Sequence, residues 1–454
     1  MRIAIAALAW LAAVSPAAAQ EAATRDFTGH PLGLLALAIF VIAYVLVVLE
    51  ETTALRKSKP VLLAAGLIWL LIGLLYAEHG AGTAANEAAS HVILEYGELF
   101  LFLLVAITYV NTLEERRIFD VLRGWLVGLG LSYSQLFWIT GIFAFFLSSV
   151  LDNLTTVLVM GAVTLSIGRD SRPFLVVSCI ALVVAANAGG AFSPFGDITT
   201  LMVWQKDKLA FFEFFNLFLP SLVNYLVPAA IMSFAVPGGA PPPHRERARL
   251  KPGAVGVILL FAATIVTAVC FRNFLSLPPA LGMMLGLGYL QVLAYVLQHR
   301  GRKRSDDDMV LDSFDLIAKV EWDTLLFFFG IIFAVGGLGV LGYLELVSAH
   351  LYGGDHTVAN VAVGILSAIV DNIPLMFAVL TMDPSMTDGQ WLLITLTTGV
   401  GGSLLSIGSA AGVALMGQAR GIYTFGSHLR WSWAVALGYA ASIALHLVWN
   451  RALM

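Results

Sequence analysis

The chain has 454 residues, of which 59% are hydrophobic and 12% charged, and its mean hydropathy is +0.87. A soluble domain is about 45–50% apolar and about 25% charged, so this composition excludes a water-soluble enzyme, a nucleic-acid binder and a disordered scaffold. It describes a polytopic membrane protein whose first partner is lipid, and a balance of 25 Lys and Arg against 29 Asp and Glu gives no basic excess for a nucleic-acid partner.

The first residues combine Arg2, a short apolar stretch and the small-residue run Ala17-Ala18-Ala19 before Gln20. That is the pattern of a secretory signal peptide over 1–19, cleaved near Ala19 to leave a mature N-terminus outside the cytoplasm. The alternative is an uncleaved first span. Beyond it, runs of about 20 apolar residues long enough to cross a bilayer lie at 31–49, 60–77, 93–112, 215–236, 254–271, 278–297, 322–344 and 430–449. The two cysteines, Cys179 and Cys270, sit inside apolar runs and form neither a disulfide framework nor a thiolate metal site.

Four stretches depart from the single-helix template. Residues 133–167, 173–205 and 390–418 are too long for one span and are interrupted by polar or glycine-rich clusters, and 357–382 is broken at Asp371-Asn372-Ile373-Pro374. Lys and Arg orient the chain, because cytoplasmic loops are enriched in them. Placing Arg56, Lys57 and Lys59 inside puts Arg116, Arg117 and Arg123 inside as well, and also Arg169 and Arg172. Both flanks of 133–167 then face the cytoplasm, so that segment reads as a hairpin with Leu151-Asp152-Asn153-Leu154 at its tip. The basic run from Arg245 to Lys251, the cluster from Arg300 to Arg304, Lys319, Arg420 and Arg430 also fall inside; Arg25, Lys206, Lys208, Arg272 and Arg451 fall outside. Two loops without Lys or Arg flank 357–382, which reads as a second hairpin entering from outside with Asp371-Asn372 at its tip.

Two blocks of the chain match. Ser148-Ser149-Val150-Leu151-Asp152-Asn153 parallels Ser367-Ala368-Ile369-Val370-Asp371-Asn372, and the run from Gly189-Gly190 to Gly196 parallels the run from Gly401-Gly402 to Gly408. Upstream, Glu95-Tyr96 and Glu321-Trp322 each precede an apolar span, and the charge argument places Glu95 outside and Glu321 inside. The expected fold is therefore all-α and polytopic, an inverted-topology repeat with two re-entrant hairpins and two broken transmembrane helices. Its expected division is 20–92 as N-terminal scaffold helices, 93–236 as the first copy, 237–320 as linker and scaffold helices, 321–449 as the second copy and 450–454 as a tail. This is the architecture of secondary transporters, which bind near the midplane where the copies meet.

The groups offered at the breaks are Asp152, Asn153, Thr155, Thr156, Asn187, Ser193, Asp197, Thr199 and Thr200 in the first copy, and Ser367, Asp371, Asn372, Ser403, Ser406 and Ser409 in the second. Almost all are oxygen or amide groups, with no Arg, Lys or His among them. A hard monovalent cation takes such ligands, by the oxygen-donor logic of calcium and magnesium sites. An intramembrane carboxylate is costly when ionised and unpaired, and a nearby cation favours its charged form. One carboxylate can then serve two ions alternately, so Asp152, Asp197 and Asp371 are read as exchanging Na⁺ for protons. Each feature also has a plainer reading. The Asp-Asn pairs and Asp197 can cap the helices that follow, the Gly-Gly pairs can serve close packing, and Ser193 and Ser406 can bond their own backbone. His91, Glu95 and Glu98 share a helix face at i, i+4, i+7, as a pH-sensing or ion-entry group or as solvated interfacial residues. His428 and His446 read as interface or packing histidines.

At Leu151 to Thr156, Asn187 to Thr200 and Ser367 to Asn372 the chain resembles the NhaD-type sodium/proton antiporters of the ion transporter superfamily, over most of its mature length. The resemblance implies a bacterial inner-membrane antiporter that exports Na⁺, often Li⁺, in exchange for protons, without a cofactor and assembled as a homodimer. It marks Asp152, Asn153, Asn187, Asp197, Thr199, Thr200, Ser367, Asn372, Ser406 and Ser409, while Asp371 rests on the repeat; the Na⁺ ligands expected are Asp152, Asn153, Asn187, Asp197 and Asn372. The second copy departs by carrying Gly408-Ser409 where the first has Gly196-Asp197, so the two half-sites are not chemically equivalent. The competing reading on the same fold is a carrier for a di- or tricarboxylate or for arsenite. No H-E-x-x-H or Gly-x-Ser-x-Gly pattern points to an enzyme.

Overall fold

A computed structural model describes residues 26–53, 55–169, 171–241, 249–304, 308 and 310–454. The expected signal peptide and most of the basic run from Arg245 onward lie outside the described residues. Among the described residues every regular element is helical, and nine helices are long and apolar enough to cross a membrane. Over these residues the chain is all-helical, as a multi-pass membrane protein is. Each of the apolar runs read from the sequence lies on one of these nine helices; the ninth is Arg172–Gly190, the first part of the long 173–205 segment. The 93–112 run belongs to a longer helix, Gly82–Glu115, because the Ala-rich loop before it carries no helix breaker after Gly82 and continues the same helix.

The chain divides into two compact units. One contains residues 26–97 and Trp322–Leu351. Its centre is the pairing of Ser58–Glu78 with Trp322–Val340. The approach is close because glycines face the partner: a Cβ on Gly330 would meet Val61 at 2.6 Å, and one on Gly337 would meet Ile68 at 2.7 Å. Without a hydrophobic driving force between helices in lipid, such small-residue contacts and interhelical hydrogen bonds hold spans together. Trp69 Nε1 donates to Phe333 O at 2.9 Å, Tyr76 Oη to Val340 O at 3.2 Å and Tyr96 Oη to Leu325 O at 3.1 Å.

The other unit contains Glu98–Glu321 and Tyr352–Met454. Within it Ala254–Leu275 packs on Pro279–Arg304, and Phe218–Ser233 packs on Ser432–Trp449. Tyr109, buried, donates to Gly286 O at 2.7 Å and accepts from Thr264 Oγ1 at 2.9 Å. Arg116, read from the sequence as a loop positive, is fully buried; its guanidinium pairs with Glu115 and donates to Pro252 O, Asp308 O and Val310 O at 3.1, 3.0 and 2.7 Å.

This unit also holds the four interrupted segments, and each breaks where the polar cluster stands. Tyr133–Ser148 is followed by Asn153–Ile167, Arg172–Gly190 by Ile198–Gln205, His356–Leu366 by Asn372–Met382, and Asp388–Gly401 by Ala410–Gln418. Pro374 falls in the first turn of Asn372–Met382, where its missing N–H has no partner within the helix in any case. The matched sequence blocks make matched contacts. Ser148 Oγ donates to Ala186 O at 2.6 Å and Ser367 Oγ to Thr398 O at 3.0 Å. A Cβ on Gly189 would overlap Phe145 O, as one on Gly401 would overlap Gly364 O. A Cβ on Gly190 would lie 2.6 Å from Gly196 O, and one on Gly402 2.8 Å from Gly408 O. Asn153–Ile167 packs on Ala410–Gln418, while Asn372–Met382 packs on Ile198–Gln205.

Candidate functional site: a buried carboxylate–amide cluster

Asp197 stands at the start of Ile198–Gln205 with extended backbone, φ −147° and ψ 150°. Its Oδ1 accepts the Thr199 N–H at 3.1 Å, and Thr200 Oγ1 accepts the Asp197 N–H at 3.3 Å, so the residue caps its helix. Thr200 Oγ1 also lies 2.8 Å from Ser193 O, which draws the 191–197 segment into a compact turn. Capping occupies one carboxylate oxygen. The other, Oδ2, accepts Nδ2 of Asn153 and Nδ2 of Asn372, both at 3.0 Å. These amides are the first residues of Asn153–Ile167 and Asn372–Met382, one from each matched block. Asp197 is 4% exposed.

Asn187 extends the cluster. Near the end of Arg172–Gly190 and fully buried, its Oδ1 accepts from Asn153 Nδ2 and from Ser409 Oγ, both at 3.1 Å. Its Nδ2 donates to Ser403 Oγ at 2.8 Å and reaches Ser409 Oγ at 3.0 Å. Ser409 begins Ala410–Gln418 without a side-chain cap bond, so its hydroxyl is free for Asn187. At the spacing that pairs Gly189 with Gly401, Asp197 corresponds to Ser409 and Asn187 to Gly399. The first block therefore supplies the carboxylate and two amides, and the second supplies two hydroxyls and one amide.

Of the residues singled out from the sequence, Asn153, Asn187, Asp197, Asn372, Ser403 and Ser409 meet in one connected network. The others hold positions around it. Asp152 accepts Thr155 N at 2.9 Å and Thr155 Oγ1 at 2.7 Å, which uses both its oxygens in capping. Asp371 Oδ1 accepts Ile373 N at 3.3 Å. Thr156 Oγ1 donates to Leu151 O at 3.4 Å, and Ser193 Oγ accepts from Phe195 N at 3.3 Å. Thr199 Oγ1 is buried without a hydrogen-bond partner. Ser367 bonds across to Thr398 O, and Ser406, in the left-handed region at φ 68°, bonds Tyr423 Oη at 2.6 Å. His91 and Glu95 form an i, i+4 pair at 3.0 Å in the first unit, and Glu98 lies further along the same helix.

One group, Tyr423, escaped the sequence reading, and His428, read there as an interface or packing histidine, bonds to it. Tyr423 carried no signal, because an isolated Tyr in an apolar chain is a common interfacial anchor. His428 is buried, with Nδ1 2.8 Å from Tyr423 Oη and Nε2 2.7 Å from Ser403 O. His446 is a packing residue, bonding Gly389 O at 3.0 Å.

Chemically, the network offers one carboxylate, three carboxamides and two hydroxyls. Each amide carries a carbonyl oxygen as well as an NH₂, and each hydroxyl accepts as well as donates. These are ligands for a hard cation, with no Lys, Arg or His side chain in the network to hold an anion. Among the described residues, no three His, Cys, Asp or Glu gather into a transition-metal site.

Comparison with known proteins places the chain among transporters. Residues 44–399 match the CitMHS family, described as a citrate transporter. The chain is 52% identical to the Na⁺/H⁺ antiporter NhaD of Vibrio cholerae, covering 99% of this chain and 98% of that protein. It is 54% identical to the Na⁺/H⁺ antiporter NhaD of Halomonas elongata, covering 96% and 92%. It is also 33% identical to sodium/proton antiporter 1 of Arabidopsis thaliana, covering 90% of this chain and 71% of that one.

Proposed function

The chain belongs to the NhaD-type Na⁺/H⁺ antiporters and to the wider CitMHS family, and on that premise we propose that it exchanges cytoplasmic Na⁺, and Li⁺, for external protons at Asp197. The observation that carries this reading is the convergence of Asn153 and Asn372 on the one carboxylate oxygen that capping leaves open. In the arrangement described, two NH₂ groups satisfy that oxygen. Turning either amide by half a revolution replaces an N–H donor with a carbonyl oxygen, so Na⁺ bound at Oδ2 gains oxygen ligands from both blocks. A proton on the same oxygen removes the charge that holds the cation. Proton and Na⁺ therefore exclude one another, which is what obligatory exchange requires. Asp152 and Asp371, each one residue ahead of a cluster amide, orient those amides by capping their helices and add negative charge near the path of the cation.

The matched contacts of Ser148 and Ser367, and of the two Gly-Gly pairs, support reading the unit as two copies of one motif. With the Lys and Arg distribution, they favour inverted copies in which 133–167 and 357–382 are re-entrant hairpins. The sidedness that follows puts the mature N-terminus outside a bacterial inner membrane. The protein then serves Na⁺ extrusion and pH homeostasis.

The description of the matched family as a citrate transporter favours a second reading, a carboxylate carrier. Against it, a polyanion at this cluster meets the Asp197 charge where low dielectric makes repulsion large. The two separate in inverted vesicles energised to an acid interior and monitored with a ΔpH dye, on adding Na⁺, Li⁺, K⁺ or citrate across a pH series. Antiport predicts collapse of the gradient by Na⁺ and Li⁺. No response to either at any alkaline pH, with citrate uptake instead, overturns it.

A further inference from the structure

We propose that His428 and Tyr423 are positioning residues for the cation cluster, setting its Na⁺ affinity through Ser403 without touching the ion. The proposal rests on the reading of the Asp197 cluster as a Na⁺ site. Ser403 has two faces. Its hydroxyl accepts from Asn187 Nδ2 at 2.8 Å, and its carbonyl oxygen lies 2.7 Å from His428 Nε2. A carbonyl can only accept, so Nε2 carries the hydrogen and the neutral ring presents Nδ1 as an acceptor. Tyr423 Oη, 2.8 Å from Nδ1, is then the donor, and its own oxygen accepts from Ser406 Oγ at 2.6 Å. The chain of bonds runs in one direction, from Ser406 through Tyr423 and His428 to the Ser403 carbonyl.

Ser403, Ser406, Tyr423 and His428 are all buried, so none of these bonds has water as a ready substitute. The bonds grip the break 402–409 at two points. Ser406 is held in the left-handed region, an uncommon conformation for a residue with a side chain. Gly412 packs so closely on Ser406 that a Cβ there would overlap the Ser406 carbonyl and hydroxyl oxygens. With Ser403 and Ser406 pinned, the Ser403 hydroxyl is held against Asn187, and Ser409 closes the other side of the same amide. Asn187 in turn orients Asn153, whose Nδ2 lies between Asn187 Oδ1 and Asp197 Oδ2. Displacing the Ser403 carbonyl therefore shifts the amide that borders the carboxylate.

The test measures half-saturating Na⁺ and maximal exchange rate separately, in inverted vesicles matched for protein content, for His428→Ala, His428→Gln, Tyr423→Phe, Ser403→Ala and the double variant His428→Ala/Ser403→Ala. Gln can return an N–H to the Ser403 carbonyl. The expected result is a roughly tenfold rise in half-saturating Na⁺ for His428→Ala, equal to about 1.4 kcal/mol, a smaller rise for Tyr423→Phe, and substantial recovery by His428→Gln. The double variant is expected to be no worse than the more affected single one, because both act through one residue. A role in packing alone lowers the amount of folded protein or the maximal rate and leaves half-saturation unchanged, and that outcome overturns the proposal. If His428→Ala does not insert, Tyr423→Phe and His428→Gln decide by the same readout. A wild-type protein without Na⁺-driven exchange refutes the cation-site reading itself; Na⁺ exchange that Asp197→Asn abolishes and His428 variants leave at wild-type affinity refutes only this inference.

Discussion

Asn372→Ala separates a site built from both matched blocks from one confined to the first. Asn372 lies 175 residues from Asp197 in sequence, and its side chain makes one bond to that carboxylate, at 3.0 Å. A hydrogen bond to a charged group contributes about 1.5–3 kcal/mol, and truncating the donor also leaves its buried acceptor short of a partner. If the amide serves the bound cation to the same extent, the loss corresponds to a roughly ten- to hundredfold rise in half-saturating Na⁺. Asn153→Ala removes a bond of equal length to the same oxygen and should give a rise of similar size. The double variant should fall short of the sum of the two in free energy, because both amides act on one atom. The assay is Na⁺-induced collapse of ΔpH in inverted vesicles, titrated with Na⁺ at fixed pH. If Asn372→Ala stays within about twofold of wild type while Asn153→Ala does not, the second block has no part in cation binding and the reasoning from convergence is wrong.

Asp197→Asn should abolish Na⁺-driven proton movement while the protein still inserts, since Asn remains a good helix cap but carries no charge for proton and cation to share; retained exchange in correctly inserted protein would falsify the assignment. Because proton and Na⁺ compete for that oxygen, half-saturating Na⁺ should rise as pH falls, approaching about tenfold per pH unit where the proton dominates, and a value constant across the active pH range would exclude competition. Gly189→Ala and Gly401→Ala each drive a methyl into a backbone carbonyl that has little room to move; they should cost about 1–3 kcal/mol or more, seen as a lower melting temperature in detergent, whereas Gly73→Ala, with nothing within 4 Å, should not. Arg116→Ala strands three carbonyls and leaves Glu115 with Lys251 alone, so it should destabilise by about 3–5 kcal/mol, and an unchanged melting temperature would show that those bonds are replaceable by water.

Much of the fold was legible because its signals are local. An apolar run long enough to span lipid must satisfy its own backbone, so each run read from composition is a helix. Asp152-Asn153, Asp197 and Asp371-Asn372 mark helix starts because a side-chain oxygen there satisfies an orphan N–H, which is why the interruptions fall at those positions. The chemistry of the site was legible for the same reason, as oxygen and amide groups gathered at breaks. The sequence could not rank them. Asp152, Asp197 and Asp371 look alike in the chain, yet both oxygens of Asp152 are used by Thr155, whereas Asp197 keeps one that two distant amides reach.

By itself, then, the sequence determined a lipid-embedded, all-helical chain with four interrupted segments and an oxygen-donor set suited to a small cation. Tertiary structure alone decided which members of that set face one another, that the second block sends Asn372, Ser403 and Ser409 to the first block's Asp197 and Asn187, and that Tyr423 and His428 stand behind Ser403. The reason is hydrogen-bond valence. A polar group carries the same donors and acceptors wherever it stands, and what fills them is set by helices that lie far apart in the sequence and pack together in the fold.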